Sequence, residues 1–507
     1  MKKITYTVII AVCLFACGLA SNIPAFAAVD LDTLVVETSS VTSFKGNWYE
    51  IGRQIGTTYP EYIIDFGNIM GMVLIFAGPG KGWTALKYYE EIESIIPQSI
   101  KDHMQGMADG LVEARSLSPH KAWDLVVTQN LAIELLNMRS NMSDIPLPGE
   151  AEVRGCTAFG VASEAGTFLC HNTDANVSGD NINVIMYWEP TNGDYACVTM
   201  DPPGWADVDF ALNEKGIAVT LNAGGPHDEA QIGMPVNFML RHVIEHAATL
   251  EEAVGYFTDY VDSGKYFGTS GEIIHIMDFN NSTMAKLEVH SNRVQVIDAA
   301  PSPHGATCIA SANHYSGEVA NESSTKRYER LMELINQTET FDLDTCWDIL
   351  SDTDGGEASN TTISRVGDSV ATNFGVILTA DGLHYTMGPP HAYRAKFGEP
   401  PFVSYSRISH SPVASFIASA KSHTVILNWQ TAAEADVSGF NLYRAGAQNE
   451  TYEMLNQSLI QPATQTFEDT GLKNRNRYYY KLEIKHGDGT STMYGPVNVT
   501  PKLMQGR

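Results

Sequence analysis

The chain has few basic residues for its length. Its 507 residues include 32 Lys and Arg against 59 Asp and Glu, a formal net charge of −27 at pH 7. No basic patch and no stretch of interleaved basic and aromatic residues occurs. Because nucleic-acid phosphates and anionic lipid headgroups attract Lys and Arg, this balance argues against both as partners. The acidity favours solubility and indicates nothing about the fold.

Long apolar runs are also scarce. The one near the start follows Lys2 and Lys3, covers Val8–Leu19 and precedes an Ala-x-Ala site, so residues 1–27 are predicted to be a cleaved signal peptide. The run is too short to span a bilayer comfortably. Leu14–Cys17 is an imperfect lipoprotein box because a bulky Phe precedes the Ala. We therefore expect a secreted or periplasmic protein without membrane insertion.

The cysteines do not form a Cys-x-x-Cys pair, so neither a zinc-ribbon nor a thioredoxin interpretation arises. Five remain after the predicted signal peptide: Cys156, Cys170, Cys197, Cys308 and Cys346. If Cys156 stays free, an oxidising compartment allows two disulfides among the other four, in three possible pairings. Buried unpaired thiols are the alternative, and the sequence leaves both open.

The patterning divides the rest of the chain into three zones. Residues 29–150 favour helices, residues 156–390 favour many short strands interrupted by helices, and about ninety residues from 411 favour strands alone. Helices are predicted at Tyr88–Ile96, Gln98–Ala114, Pro235–Ala248, Leu250–Val261 and Lys326–Asn336. Strands are predicted at Asn183–Trp188, Ile217–Asn222, Glu272–Asp278 and Met284–Val289. Strands clustered with flanking helices indicate an α+β body built in layers.

The last zone predicts a small all-β sandwich over residues 411–503. Its alternating segments are Thr424–Trp429, Gly439–Tyr443 and Arg477–Ile484. Trp429, Tyr443 and Tyr478 are the expected core and corner aromatics. The zone looks like a fibronectin type III module. It is either a structural appendage or a contact to glycans or a surface.

The dipeptide Gly155-Cys156 is the strongest candidate for chemistry. It follows a polar, turn-like segment and opens a strand-like run, and Asp174 lies eighteen residues further on. If the chain is cut between Gly155 and Cys156, the cysteine gains a free α-amine with a pKa of about 8 that serves as the base for its own thiol. The glycine would tolerate a strained turn at the cut.

Several segments around this dipeptide resemble the acyl-CoA:6-aminopenicillanate acyltransferase (isopenicillin-N acyltransferase) peptidase family of N-terminal nucleophile hydrolases. Choloylglycine hydrolases and acid ceramidases are more distant relatives. The resemblance covers roughly residues 40–400. The similar segments are Phe44–Gly52, Met107–Gly110 with Asn130 and Glu134, Gly155–Phe159 with Cys170–Asp174, Leu212–Asn222, Ala312–Tyr315 and Gly388–Pro390.

The resemblance implies a four-layer α-β-β-α sandwich and a self-processing precursor. Residues 28–155 would be the helical pro-segment, and residues 156–405 the catalytic chain. It implies that Cys156 is the nucleophile, that Asp174 hydrogen-bonds it, and that Asn222 and Asn313 donate to the oxyanion. Each of the three partners has a plainer interpretation, as a turn or strand-capping residue.

Substrate contact is the expected role of Asn172 and His171, although Asn172 also suits a turn. The bile-salt hydrolase and ceramidase branch has Arg three residues before the Asp, and this chain has His171 there. We therefore expect neither of those two activities, nor a charged clamp at this position.

A zinc peptidase is a competing interpretation. His242-Val243-Ile244-Glu245-His246 is an H-x-x-E-H string, which on a helix puts both histidines on one face. Glu322 is at a plausible spacing for a third ligand, but its polar surroundings predict a loop. We expect two ordinary histidines here, and neither metal nor cofactor.

Taken together, these features predict an exported, self-processing cysteine amidohydrolase that acts on a small amide or peptide-like substrate. An acyl-enzyme on Cys156 would pass to water or, in acyl transfer, to an amine. One alternative retains the fold and cleaves esters, as phospholipase B-like proteins do. The other is a non-catalytic exported binding or adhesion protein built around the C-terminal sandwich.

Overall fold

A computed structural model describes residues 41–77, 84–142, 154–176, 183–224, 231–268, 271–318, 320–367, 370–404, 413–431, 437–446, 451–487 and 491–501. The predicted signal peptide lies outside these residues. The chain forms two compact units, and the larger comprises Gly46–Asn183 and Trp188–Tyr405. The smaller comprises Ser39–Lys45, Val184–Tyr187 and Ser406–Arg507. No helix in the described part has the length and apolarity needed to cross a membrane.

The first part of the larger unit is helical, as its patterning predicts. The helices here are α1 (Trp48–Thr58), α2 (Pro60–Ala77), α3 (Ala85–Ile92), α4 (Gln98–Arg115) and α5 (Pro119–Met142). The helix predicted to reach Ile96 ends at Ile92 instead. The amides of Ile95 and Ile96 both donate to the Ile92 carbonyl in a turn, and Pro97 follows, which disfavours helical backbone before it.

Five further helices are described after the strands begin. They are α6 (Val236–His246), α7 (Leu250–Asp262), α8 (Glu322–Gln337), α9 (Leu343–Leu350) and α10 (Pro390–Phe397). The loop expected at Glu322 is wrong, because Glu322 is the first residue of α8. Asn321 caps this helix by accepting a hydrogen bond from the Ser324 amide at 2.8 Å. The polar run is therefore a helix start, for which Asn and Ser are well suited.

Many short strands are described before residue 405, as expected for residues 156–390. The first seven are β1 (Val41–Gly46), β2 (Arg154–Ser163), β3 (Gly166–Asn176), β4 (Val184–Pro190), β5 (Cys197–Asp201), β6 (Phe210–Asn213) and β7 (Ile217–Ala223). The next eight are β8 (Glu272–Asp278), β9 (Thr283–Val289), β10 (Val294–Asp298), β11 (Ala300–Pro301), β12 (Thr307–Ser311), β13 (Val370–Thr379), β14 (Gly382–Met387) and β15 (Phe402–Ser404).

These strands form two large sheets. One has the order β1-β4-β5-β6-β7-β8-β9-β10 and the other β11-β12-β2-β3-β13-β14-β15. The sheets contact each other where β2 and β3 lie against β7 and β8. Helices α6 and α7 pack on strands of the first sheet, and α8 and α9 pack on strands of the second. The protein is therefore a mixed α+β structure with packed sheets and helices on each sheet.

The register of the second sheet determines which residues surround Cys156. Strand β2 lies between β12 and β3, and Cys156 pairs with Thr173 while Gly155 pairs with Asp174. On the far side of β3, Asp174 pairs with Thr372 of β13. Asn313 follows the end of β12 by two residues. The antiparallel pairing thus brings parts of the chain more than 150 residues apart to one place.

Helices α1 and α4 cross at glycines. A Cβ on Gly52 would overlap the His103 carbonyl, and one on Gly106 would overlap the Tyr49 carbonyl. Interiors are packed without spare volume, so only hydrogen fits at such a crossing. The segments Phe44–Gly52 and Met107–Gly110, which carry part of the family resemblance, therefore contain residues of a helix contact.

The smaller unit contains two further sheets built from strands β16 to β22. These are β16 (Val413–Lys421), β17 (Thr424–Thr431), β18 (Val437–Ala445), β19 (Glu453–Met454), β20 (Thr466–Thr470), β21 (Tyr478–His486) and β22 (Ser491–Val499). Their orders are β16-β17-β20 and β19-β18-β21-β22.

The core of these two sheets contains Trp429 as expected, together with Phe440 and Tyr480. Tyr443 and Tyr478 are only partly buried, so the sequence identified the wrong central tyrosine. The hydroxyl of Tyr478 accepts a hydrogen bond from the Lys473 amide at 2.9 Å, which suits the corner role expected of it.

All five cysteines of the described chain are free thiols. Burial raises the pKa of Cys197 to about 12 and that of Cys308 to about 11. Burial and a hydrogen bond with Cys346 also raise the pKa of Cys170. These groups are therefore protonated at neutral pH and make poor nucleophiles.

Candidate active site

Cys156 lines a cavity of about 230 Å³ inside the larger unit. It is the third residue of β2, and Thr173 and Asp174 of β3 line the same cavity beside it. The opposite sheet contributes Leu221 and Ala223 of β7. Cys156 is only 7% exposed, and that small exposure faces a space in which a small substrate fits. Of the residues proposed for chemistry, Cys156 and Asp174 are thus brought together at one cavity.

The backbone N–H and the backbone carbonyl of Cys156 are both hydrogen-bonded to side chains. Its N–H donates to Oδ1 of Asn313 at 2.9 Å, and its carbonyl accepts a hydrogen bond from Nη1 of Arg327. Nη2 of the same guanidinium donates to Asn313 Oδ1 at 2.8 Å, and Nη1 also donates to Thr157 Oγ1 at 3.0 Å. If the chain is cut before Cys156, the resulting α-amine is already facing an acceptor.

The side chain of Asn313 is oriented as an acceptor toward Cys156. Its Nδ2 donates to the Ala223 carbonyl at 2.9 Å, which fixes the amide with Oδ1 toward the nucleophile. Nδ2 has a second hydrogen, so the oxyanion-donor role expected from the sequence stays a prediction. An acceptor at this position is suited to orienting an amine, because the amine must direct its lone pair toward the thiol.

Asp174 is buried in a network of donors. Its Oδ1 accepts from Thr372 Oγ1 at 2.8 Å, and its Oδ2 accepts from Arg365 Nη1 at 3.0 Å. Arg327 Nη1 lies 4.0 Å from Oδ2. Burial raises the pKa of Asp174, and the two guanidinium groups act in the opposite direction. Asp174 thus lies near the Arg327 guanidinium, which donates to the Cys156 carbonyl, and its role toward the nucleophile stays a prediction.

Gly155 is needed for space and not for a strained turn. It lies within β2 and is not among the residues with positive φ in the described chain. A Cβ here would overlap Nη1 of Arg365 and come within 3.1 Å of Asp174 Oδ2. The turn expected at this glycine is wrong, because the paired strand already runs through residues 154 and 155.

Asn222 lies on β7 between the cavity residues Leu221 and Ala223, but its side-chain amide is hydrogen-bonded to residues at the end of β12. Its Nδ2 donates to Ser311 Oγ at 3.1 Å and to the Ala312 carbonyl at 2.8 Å. An amide nitrogen has two hydrogens, so both are used. Asn222 therefore connects β7 to the end of β12 near Asn313, and its oxyanion role stays a prediction.

His171 and Asn172 are fully buried and do not belong to the described cavity lining. Nε2 of His171 lies 3.1 Å from the Leu221 carbonyl, and burial lowers the pKa of His171 to about 3. Asn172 Nδ2 donates to the carbonyls of Leu350 at 2.8 Å and Ile363 at 3.1 Å. These hydrogen bonds connect β3 to neighbouring parts of the fold, and the substrate contact predicted for the two residues stays a prediction.

A comparison with protein families matches residues 161–379 to the acyl-coenzyme A:6-aminopenicillanic acid acyl-transferase family. The matched residues are less than half of the chain, and they show that its central part is similar to that family. The family match confirms the resemblance stated from the sequence and indicates an acyltransferase or amidohydrolase of the N-terminal nucleophile type. Asp174, Asn222, Asn313, Arg327 and Arg365 lie inside the matched segment, and Cys156 lies five residues before it.

Comparison with solved structures gives only partial matches. A pectate lyase from Erwinia chrysanthemi is 21% identical over 17% of this chain and 27% of its own, at a TM-score of 0.15. A Fn3-like protein from Clostridium thermocellum is 19% identical over 18% of this chain and 92% of its own, also at 0.15. The chain thus spans about a quarter of the lyase, and at such scores neither likeness defines its fold. No curated protein matches the chain significantly.

Sequence reasoning missed Arg327 and Arg365, the two cations near Asp174. Arg327 did carry a signal, because it lies four and eight residues before Leu331 and Ile335 on the buried face of α8. An arginine at apolar spacing indicates a buried charge with a partner. Arg365 lies in a polar loop segment without periodicity, and only the fold brings it to Asp174.

The competing H-x-x-E-H string does form a group on α6. The ligand atoms of His242, Glu245 and His246 all lie within 4.8 Å of one another. Glu245, however, is paired with Arg241 at 2.5 Å and accepts from Ser99 Oγ at 2.8 Å. Glu322, the third ligand considered from the sequence, is exposed and pairs with Lys326 at 2.6 Å. The string is separate from the cavity lining described at Cys156.

Proposed function

We propose that the protein is a self-processing amidohydrolase or acyltransferase whose nucleophile is Cys156. The observation that carries this proposal is the environment of Cys156. Its side chain reaches a cavity while its amide N–H donates to Asn313 and its carbonyl accepts from Arg327. A cysteine that serves as a new chain terminus needs its amine fixed beside its thiol, and this arrangement supplies that.

The reaction follows from these contacts. The Cys156 thiol attacks the carbonyl of Gly155, and the peptide bond breaks to leave a Gly155 thioester on sulfur and a new α-amine beside Asn313. Water then hydrolyses the thioester, which gives the Gly155 carboxylate and frees the Cys156 thiol. In turnover that amine accepts the thiol proton as sulfur attacks a substrate amide, and the proton then passes to the leaving amine. Water or an acceptor amine releases the acyl group from sulfur. One positioned base thus serves both halves of the cycle.

The fold and the remaining segments fit the same proposal. We propose that the two packed sheets and the helices on each of them form a four-layer α-β-β-α sandwich. We further propose that residues 1–27 direct export and that the strands of residues 411–503 form a fibronectin type III-like module suited to a surface or glycan contact. The expected partner at the cavity is a small amide or peptide, with no metal or cofactor.

N-terminal sequencing of purified protein tests the proposal. The expected result is two polypeptides, 28–155 and 156–507, the second beginning at Cys156. Cys156→Ala should remain one chain and lose all amide turnover. Cys308→Ala is the matched control, because its thiol is half-buried with a pKa raised to about 11, and it should be processed normally. An uncleaved wild type with full activity would rule the mechanism out.

A further inference from the structure

The two histidines of the H-x-x-E-H string lie next to each other on α6. His242 and His246 are about one helical turn apart in the chain, and their ring centroids are 4.4 Å apart. One ligand atom from each of them and one from Glu245 lie within 4.8 Å of one another. Imidazoles at this spacing on a helix can bind the same metal ion, although the spacing alone also fits two ordinary histidines. The partners of their nitrogens decide between the two.

The hydrogen bond of His246 fixes which of its nitrogens can bind a cation. Its Nδ1 lies 2.9 Å from the His242 carbonyl. A carbonyl oxygen only accepts, so Nδ1 carries a hydrogen, and in the neutral ring Nε2 carries the lone pair. Metal-binding histidines usually donate their other ring N–H to a carbonyl or a carboxylate in the same way. The ring of His246 is thus oriented with Nε2 as the ligand atom.

Asp194 faces this nitrogen from the loop between β4 and β5. Its Oδ1 lies 3.4 Å from His246 Nε2. Its Oδ2 accepts from Trp48 Nε1 at 2.6 Å and from Asn192 Nδ2 at 2.8 Å. These two donors hold the carboxylate with Oδ1 toward the histidine. A carboxylate oxygen and an imidazole nitrogen, both acceptors when the ring is neutral, therefore face each other.

The separation of these two atoms suits a metal ion better than a proton. Two acceptors attract each other only through a shared hydrogen or a cation. A charge-assisted N–H···O hydrogen bond is about 2.7–2.9 Å long, and the atoms here are 3.4 Å apart. Zinc holds nitrogen and oxygen ligands at about 2.1 Å, so two ligands of a tetrahedral ion lie about 3.4 Å from each other. His246 and Asp194 thus have the spacing of two zinc ligands.

The third ligand is expected from His242. Its Nδ1 is buried and has no hydrogen-bond partner among the described residues, a costly state that a bound cation would relieve. Glu245 is a poorer ligand, because its Oε1 pairs with Arg241 at 2.5 Å and its Oε2 accepts from Ser99 at 2.8 Å. The side chain of His246 is 34% exposed, so an ion can enter from solvent and retain a water molecule.

We propose that His242, His246 and Asp194 form a zinc site that connects the loop between β4 and β5 to α6. The ion takes one nitrogen from each histidine, Oδ1 of the carboxylate and one water. Imidazole donors favour zinc over calcium or magnesium, which prefer oxygen ligands alone. None of the three residues is among those described as lining the cavity at Cys156, so the ion is structural and the inference does not rest on the proposed function.

Calorimetry with zinc chloride tests the site in Cys156→Ala protein freed of metal by a chelator and dialysed, so that the Cys156 thiol does not compete. One zinc ion should bind per chain and raise the temperature of thermal unfolding. His246→Gln and Asp194→Asn should each weaken binding at least about 10-fold, because loss of a residue that only orients a zinc ligand already costs about 10–100-fold. In Asp194→Asn the new amide can donate to His246 Nε2, so the fold should be retained.

His304→Gln is the matched control, because His304 is exposed in a turn and does not belong to the group on α6. It should bind zinc as tightly as the parent protein. Absence of binding at millimolar zinc would overturn the inference. So would affinities of His246→Gln and Asp194→Asn within about 3-fold of the parent, which would mean adventitious binding elsewhere. Displacement of zinc by equimolar Ca²⁺ or Mg²⁺ would also overturn it. Self-cleavage without zinc binding would contradict this inference alone.

Discussion

Gly155 shows how a single missing Cβ shapes the site. We expect Gly155→Ala to slow self-cleavage by at least about 10-fold, because the added methyl must displace the Arg365 guanidinium from Asp174. Overpacking of this kind costs about 1–3 kcal/mol. The measurement is the rate at which the two chains appear on a denaturing gel, with thermal unfolding followed in parallel.

A control and a rescue separate this effect from general damage. Gly356→Ala places a methyl where nothing lies within 4 Å, so processing should be unaffected. Gly155→Ala combined with Arg365→Lys should regain part of the rate, since the shorter ammonium group leaves room for the methyl. If the double variant is no faster than Gly155→Ala, crowding against Arg365 is not the cause.

At the scale of elements, the crossing of α1 and α4 depends on glycine. Gly106→Ala should lower the unfolding free energy by about 3 kcal/mol or more, because its methyl meets the Tyr49 carbonyl and backbone cannot yield as a side chain does. Denaturant unfolding in the Cys156→Ala background, where one chain is expected, gives the comparison.

Gly255→Ala in α7 is the matched helix control. Nothing lies within 4 Å of its added methyl, so it should be neutral or stabilising by about 0.5–1 kcal/mol, the usual gain from replacing a helical glycine. Equal stability of the two alanine variants would show that α1 and α4 do not require the close approach.

The elements around the site were largely predictable, and their mutual contacts were not. Strand β8 has the predicted bounds, and β7 begins at the predicted residue because continuous apolar runs bounded by turns identify buried strands. The segment His171–Asp174 could not all face the nucleophile, since side chains alternate along a strand. Thr173 is opposite Cys156 in the register, whereas Asn172 is held by the Leu350 and Ile363 carbonyls.

Contacts between residues far apart in the chain could not be predicted from the sequence. Arg365 and Asp174 are 191 residues apart, and no local pattern at either one indicates the other. The same holds for Asn313, whose side-chain oxygen accepts a hydrogen bond from the Cys156 amide 157 residues away. Which end of an amide faces a reacting group depends on its other partner, here the Ala223 carbonyl.

At the scale of the whole molecule, a buried cation connects the helical segment to the part of the chain after Cys156. The Arg241 guanidinium lies 3.9 Å from the Trp48 ring centroid and 4.5 Å from that of Trp188. It also pairs with Glu245 at 2.5 Å and contacts His103 Nδ1 at 3.1 Å. Burial lowers the pKa of His103 well below its usual value, so that nitrogen is a neutral acceptor.

Other contacts join the same two parts of the chain. Tyr88 donates to the Gly233 carbonyl at 2.9 Å, and Asn130 donates to the Gly204 carbonyl at 2.9 Å. The Ala206 amide in turn donates to Asn130 at 2.6 Å. These bonds do not depend on the peptide bond before Cys156. After self-cleavage, the two polypeptides should therefore remain one particle and elute together in size-exclusion chromatography until denaturant is added.

Arg241→Ala should weaken that association. It opens the space between Trp48 and Trp188 and leaves Glu245 buried without its cation, a change that typically costs 3–5 kcal/mol. Because each 1.4 kcal/mol is tenfold in an equilibrium constant, the two chains of the variant should separate at denaturant concentrations that leave the wild type intact. Arg330→Ala is the control, because the carboxylates that pair with Arg330 belong to Glu333, Asp352 and Asp354, which all lie in the part of the chain after Cys156. Equal resistance of both variants to separation would show that the cation is not what holds the helical segment in place.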